Sequence, residues 1–108
     1  MTKYVRRRYI AAKIDGNKEF NEKEAFGAVW SSLTRLFGEY GASLAELSLV
    51  EYNQERRQVI FRCSHKALDM VKASIVAVTE VANEKACIRV IRVSGTLKSL
   101  RTKMANLP

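Results

Sequence analysis

Arg6, Arg7 and Arg8 stand in a row near the start of the chain, and Arg89, Arg92, Lys98, Arg101 and Lys103 recur near its end, with no acid in either stretch. Clustered guanidinium and ammonium groups hold phosphate oxygens, arginine through paired N–H donors and lysine as a point charge. Residues 1–13 carry a charge of +5 and residues 85–108 carry +6, whereas residues 14–84 hold all 11 carboxylates and come to −3. The excess of +8 therefore sits at the two ends. Such a distribution attracts a polyanion locally, nucleic acid or an anionic membrane, the competing reading being two basic ends that only solvate the protein.

Other chemistry is poorly supplied. Metal-dependent phosphoryl chemistry needs clustered carboxylates. Asp15 and Asp69 are isolated, and Glu19, Glu22 and Glu24 surround a helix start. His65 is the single histidine and has no partner at ligand or triad spacing, which predicts an exposed residue at a helix start. The five glycines match neither a dinucleotide loop nor a P-loop. Catalytic residues and a bound metal are accordingly not expected. Two cysteines cannot build a disulfide framework and are expected as half-buried free thiols in a reducing, cytoplasmic setting.

The elements that must position the cations are legible from periodicity. The chain has 108 residues, 47% apolar and 28% charged, which suits a single domain over 1–108 and leaves no apolar run long enough for a membrane span. Residues 4–14 (YVRRRYIAAKI) read as a first, basic strand closed by Asp15-Gly16-Asn17. Asn21 and Glu24 form a capping box for a helix whose Phe26, Val29, Trp30, Leu33, Leu36 and Phe37 predict a core-facing stripe, ended by Gly38 and Gly41. Residues 45–52 and 57–63 read as a hairpin. Ser64 caps a second helix carrying Leu68, Val71, Ile75, Val78 and Ala82, which Asn83 breaks. Residues 86–93 are the last strand. After Ser94-Gly95-Thr96, a basic terminal helix to residue 105 carries Leu97, Leu100 and Met104 on one side and is expected as a lid on the sheet edge.

The resulting order, β-α-β-β-α-β plus a short C-terminal helix, is the α+β ferredoxin-like, RNA-recognition-motif-like two-layer sandwich with an antiparallel sheet. In that topology the first and last strands are neighbours, so the basic ends converge. Arg6, Arg7, Arg8, Arg92, Gly95, Lys98 and Arg101 are then the expected RNA contacts, Gly95 allowing close backbone approach. The third strand lacks the glycine and exposed aromatics of a base-stacking sheet, since Phe61 shares a face with Val59 and Cys63. Contacts to the phosphates of a structured RNA are expected instead.

Four segments, RRRYIAAKI (Arg6 to Ile14), LFGEYGAS (Leu36 to Ser43), VIFRCSHKALDMVKASI (Val59 to Ile75) and RVIRVSGTLKSL (Arg89 to Leu100), together resemble the small protein subunit of archaeal and eukaryal ribonuclease P, shared with ribonuclease MRP. Where the family usually continues Ser94-Gly95-Thr96 with isoleucine and a basic residue, Leu97 and Lys98 stand here. The resemblance implies a non-catalytic subunit that supports the catalytic domain of ribonuclease P RNA in removing the 5′ leader from precursor tRNA. It also implies a barrel-shaped protein subunit as partner, a homodimer within the complex as an open alternative, and Mg²⁺ used by the RNA and not bound by this chain. Tyr40, in a loop between two glycines, is expected either at a protein contact or capping the core. The competing function is a ferredoxin-like protein-interaction module without direct RNA contact.

Overall fold

A computed structural model describes residues 6–105. Tyr4 and Val5, expected to open the first strand, lie outside them. Five strands form one antiparallel sheet: β1 (Arg7–Gly16), β2 (Ser48–Asn53), β3 (Gln58–Ser64), β4 (Glu80–Val81) and β5 (Glu84–Ser94), in the order β2-β3-β1-β5-β4. This is the expected ferredoxin-like order with a two-residue edge strand added. Helices α1 (Glu22–Ala45) and α2 (Leu68–Val76) cover one face, and α3 (Leu97–Ala105) lies on the other.

Register follows from which side chains must be dry. Ile10 opposes Phe61 and Ala12 opposes Val59. Both pairs are fully buried beneath the helices with Ile14, Cys63, Val71 and Ile75. Slipping β1 by one residue would bring Tyr9, Ala11 and Lys13 into that core. Burying a side chain such as Phe61 stabilises the fold by roughly 1.5–3 kcal/mol, so the register is strongly specified.

Helix α1 begins as expected. The Glu24 N–H donates to Asn21 Oδ1 at 2.8 Å and the Asn21 N–H donates to Glu24 Oε1 at 2.9 Å. It does not end at Gly38. That residue breaks the helical path (φ 76°, ψ 170°), after which helix resumes to Ala45, and β2 therefore starts at Ser48 instead of 45. The buried face is also narrower than the apolar stripe. Ala25, Val29, Ser32 and Leu33 face inward, whereas Trp30, Leu36 and Phe37 are 37%, 45% and 42% exposed, a correction to their expected core role. The sheet and α2 cover one side of α1 only: Phe26 packs against the core edge, and Trp30, stacked on its outer side, is left open.

The second helix is shorter than its apolar spacing suggested. It stops at Val76, and Val78 and Val81 are buried from a loop and a hairpin whose turn, Ala82–Asn83, has positive φ at both residues. Paired positive φ values are the geometry of a two-residue type I′ turn, which ends helical continuation more firmly than Asn83 alone would. Ser64 holds the cap position, but its hydroxyl donates to the Leu44 carbonyl at 3.2 Å instead of capping. Between the helices, the buried Ser32 hydroxyl donates to the Ser74 carbonyl at 2.7 Å.

Helix α3 is not an edge lid. It turns back after β5 and sets Leu97, Leu100 and Met104 over Ala11 and Ile60, a second apolar cluster on the opposite face. Arg101 reaches Glu51 on β2 at 3.7 Å, and Lys103 Nζ donates to the Val93 carbonyl on β5 at 3.4 Å, so the helix is held from both flanks. The two cysteines differ more than expected: Cys63 is buried, Cys87 exposed, and both are free.

Candidate nucleic-acid interface

β1 is antiparallel to both of its neighbours, so the end of the sheet where β1 begins is the end where β3 and β5 finish. Three distant stretches of chain meet there. Arg7 opposes Ser64, Tyr9 opposes Ser94, and the His65 N–H donates to the Arg6 carbonyl at 2.8 Å. The result is an open cleft of about 580 Å³ whose walls are Arg6, Arg7, Arg8 and Tyr9 on one side, His65 on another, and Gly95, Thr96 and Leu97 on a third.

Among the described residues, three cations and no carboxylate line this cleft. A slightly larger groove of about 660 Å³ between α1 and the β4 hairpin carries Glu24 and Glu80 against Arg35, and offers a polyanion no net attraction. The floor of the basic cleft is preorganised. Arg8 Nε donates to His65 Nδ1 at 2.9 Å, which orients the guanidinium. Thr96 Oγ1 accepts from the Ser99 N–H at 3.1 Å and caps α3, and Ser94 Oγ accepts from the Thr96 N–H at 3.4 Å. The positive end of the α3 dipole thus opens on the cleft beside Gly95 and Leu97.

The structure divides the residues expected to act together. Arg6, Arg7, Arg8 and Gly95 share the cleft. Arg92 does not lie beside them: it pairs with Ala11, further along the sheet and on the face that carries α3. Lys98 is exposed on α3, close to the turn, whereas Arg101 leans over β2 toward Glu51. Tyr40 is 79% exposed, so it does not cap the core. It follows the Gly38 break, near exposed Leu36, Phe37 and Leu44.

His65 and Thr96 are the functional candidates that residue typing passed over. His65 stands at a helix start as expected, opening a 3₁₀ turn after Ser64, but it is half-buried against Arg8 and not exposed. The antiparallel pairing of β1 with β3 held the clue, because continuing the register past Ser64 brings residue 65 to Arg6. Arg62, opposite Tyr9 on β3, has a buried Nε without a hydrogen-bond partner. Burial raises the Cys63 thiol from 9.0 to about 11, with Arg8 pulling weakly the other way, which keeps that sulfur a neutral core group. Among the described residues, no three His, Cys, Asp or Glu side chains cluster to hold a metal ion, and no helix is long and apolar enough to cross a membrane.

Known proteins resemble this chain in sequence and in fold. A ribonuclease P protein component 2 from Pyrococcus furiosus is 34% identical over 98 residues, covering 91% of this chain and 82% of the relative. One from Methanococcus aeolicus is 29% identical over 103 residues, covering 95% and 75%. In three dimensions, a chain in the cryo-EM structure of yeast ribonuclease MRP superposes with a TM-score of 0.72 over 97% of this chain and 93% of that one, at 13% identity, a likeness of fold. The family model described as Rpp14/Pop5 matches residues 8–105, from an arginine in the cleft to the last residue of α3. With nearly all of its length inside that match, the chain belongs to the Rpp14/Pop5 family.

Proposed function

We propose that this chain is an RNA-binding protein subunit of ribonuclease P, supporting the catalytic RNA as it removes the 5′ leader from precursor tRNA. The observation that carries the reading is the convergence of Arg6, Arg7 and Arg8 with the Gly95–Thr96 turn in a single cleft that no acid among the described residues lines. The relatives named as ribonuclease P components support it.

The physical role is charge compensation. Closing RNA helices around an active site crowds phosphates, and fixed cations relieve that repulsion while displaced counterions gain entropy. Arg6, Arg7 and Arg8 contact phosphates in the cleft, Gly95 admits the RNA backbone, and Lys98, Arg101 and Arg92 contact phosphates outside it. The RNA keeps the Mg²⁺ chemistry, and this chain lowers the Mg²⁺ concentration the RNA needs. The test is reconstitution with ribonuclease P RNA and the barrel-shaped protein subunit. Leader removal should begin at lower Mg²⁺ when this chain is added; an unchanged Mg²⁺ requirement overturns the reading.

A protein contact at the Gly38 break is a second reading, favoured by Leu36, Phe37, Tyr40 and Leu44 being exposed together. A cluster of large apolar groups around a helix break is costly to leave in water unless something covers it. Here the occupant is the barrel-shaped subunit or a second copy of the chain. Tyr40→Ser should weaken co-purification of that subunit or halve the mass in solution, and if it does neither the contact lies elsewhere.

A further inference from the structure

We propose that the outer face of β5 is a second RNA surface, a track for the sugar-phosphate backbone of a helical RNA segment leading away from the cleft. It rests on the reading that the chain binds RNA, takes over the Arg92 contact from it, and adds Lys13, Lys85, Arg89 and Lys103 as one continuous surface. The register places the side chains. Arg92 opposes Ala11 and Arg89 opposes Lys13, and cross-strand partners project from the same side of a sheet. Ala11 packs under α3, so these cations share the α3 face and not the helix-covered core. Lys85 begins the same row, and Lys103 reaches the Val93 carbonyl from α3, so the flank of the helix nearest β5 is basic as well.

Charge and shape select the occupant. Lys13, Lys85, Arg89, Arg92 and Lys103 face Asp15, which Arg89 holds at 3.5 Å, and Glu80, which opposes Lys85. The surface stays net positive. From Lys85 to Arg92 it extends roughly 20 Å at the strand rise, room for several phosphates. Among the described residues, the large apolar side chains that are exposed, Trp30, Phe37 and Tyr40 among them, all belong to the helical side, and Tyr9 on this face is half-buried against the α3 cluster, so the β5 row gives unstacked bases no platform. A helical strand, which presents phosphates and keeps its bases inside, suits it better than a single strand.

Charges on an edge strand also discourage strand-to-strand aggregation, and among the described residues β5 has a strand partner on its outer side only at Glu84 and Lys85. The experiment separates the two roles and uses a probe already in place. Cys87 is exposed between Lys85 and Arg89 on the same face, while Cys63 is buried and serves as an internal control. In the particle reconstituted with ribonuclease P RNA and the barrel-shaped subunit, iodoacetamide should modify Cys87 severalfold more slowly than in the free chain. The subunit without RNA should give no such protection. The double variant Arg89→Gln/Arg92→Gln should flatten the dependence of log affinity on log salt by about 1.4 to 1.8, two phosphates' worth. RNA that binds while Cys87 keeps its free rate overturns the track and leaves the cleft standing. Protection by the protein subunit alone also overturns it, as does a double variant that aggregates with an unchanged salt slope. If the wild-type chain binds no RNA at all, both readings fall.

Discussion

Arg8 on β1 and His65, 57 residues further along, meet through one hydrogen bond from Nε to Nδ1 at 2.9 Å. The geometry assigns the ring its proton on Nε2, because Nδ1 must offer a lone pair to the arginine. With Nε engaged, the two Nη groups of Arg8 are left for a phosphate, and the guanidinium loses less freedom when one binds. The backbone bond from His65 to Arg6 fixes the ring in turn, at 2.8 Å. His65 is thus a positioning residue, and its effect passes through Arg8.

His65→Ala removes that acceptor and should weaken RNA binding by about 1 kcal/mol, roughly fivefold in Kd. His65→Asn restores an acceptor oxygen at similar reach and should recover most of the loss. Filter binding at fixed salt, with circular dichroism to verify folding, checks both. Equal affinities for wild type and His65→Ala would remove the positioning role.

Replacing Arg6, Arg7 and Arg8 together by Ser should reduce the magnitude of the salt slope by about 2 to 3, if each neutralises one phosphate. Arg101→Ser should have a smaller effect, since Glu51 at 3.7 Å already offsets part of its charge. The measurement is RNA affinity across a salt series. A triple variant with the wild-type slope would mean that the cleft does not hold phosphate.

Two glycines on α1 should respond to the same substitution with opposite signs. Gly38 has φ 76° and open space where a Cβ would stand, so Gly38→Ala should cost about 1 to 3 kcal/mol from backbone conformation alone. Gly27 also has open space, but within regular helix, and Gly27→Ala should stabilise by about 1 kcal/mol. Urea midpoints of the two variants decide the matter. A neutral Gly38→Ala would show that the helix can run straight through the break.

Stability should fall in alkali because of Cys63. Its folded-state pKa of about 11 lies above the 9.0 of an exposed thiol, so the stabilisation is complete below pH 9.0 and is lost as pH rises through 11. The loss is about 2 to 3 kcal/mol at most. Burial also raises the Tyr52 hydroxyl, although Arg57 opposes it, and this adds in the same direction. Cys63→Ala should start less stable, because it leaves a small cavity, yet decline less steeply above pH 9 in denaturant titrations. Parallel curves for variant and wild type would assign the alkaline loss to other groups.

Local chemistry made much of this protein legible in its sequence. The breaker-free run RRRYIAAKI marked the first strand, alternation in RQVIFRC set the third strand and its dry face, the Asn21–Glu24 spacing set the start of α1, and two acid-free ends marked the cationic surfaces. Each of these depends on neighbours a few residues apart, where backbone geometry alone decides which side chains share a face. The burial of α1 was not legible, because the same apolar stripe would serve a helix covered on two sides. Only the sheet and α2 show that Trp30 and Phe37 stay outside. The place of α3 was likewise undecided, since Leu97, Leu100 and Met104 could pack on an edge or on a face. The dry pair Ala11 and Ile60 on the open side of the sheet chose the face. Which cations act together was also left to the fold. Strand register joined His65 to Arg8 and moved Arg92 away from the cleft, because hydrogen-bonded pairing between distant segments, and not their charge, determines who stands next to whom.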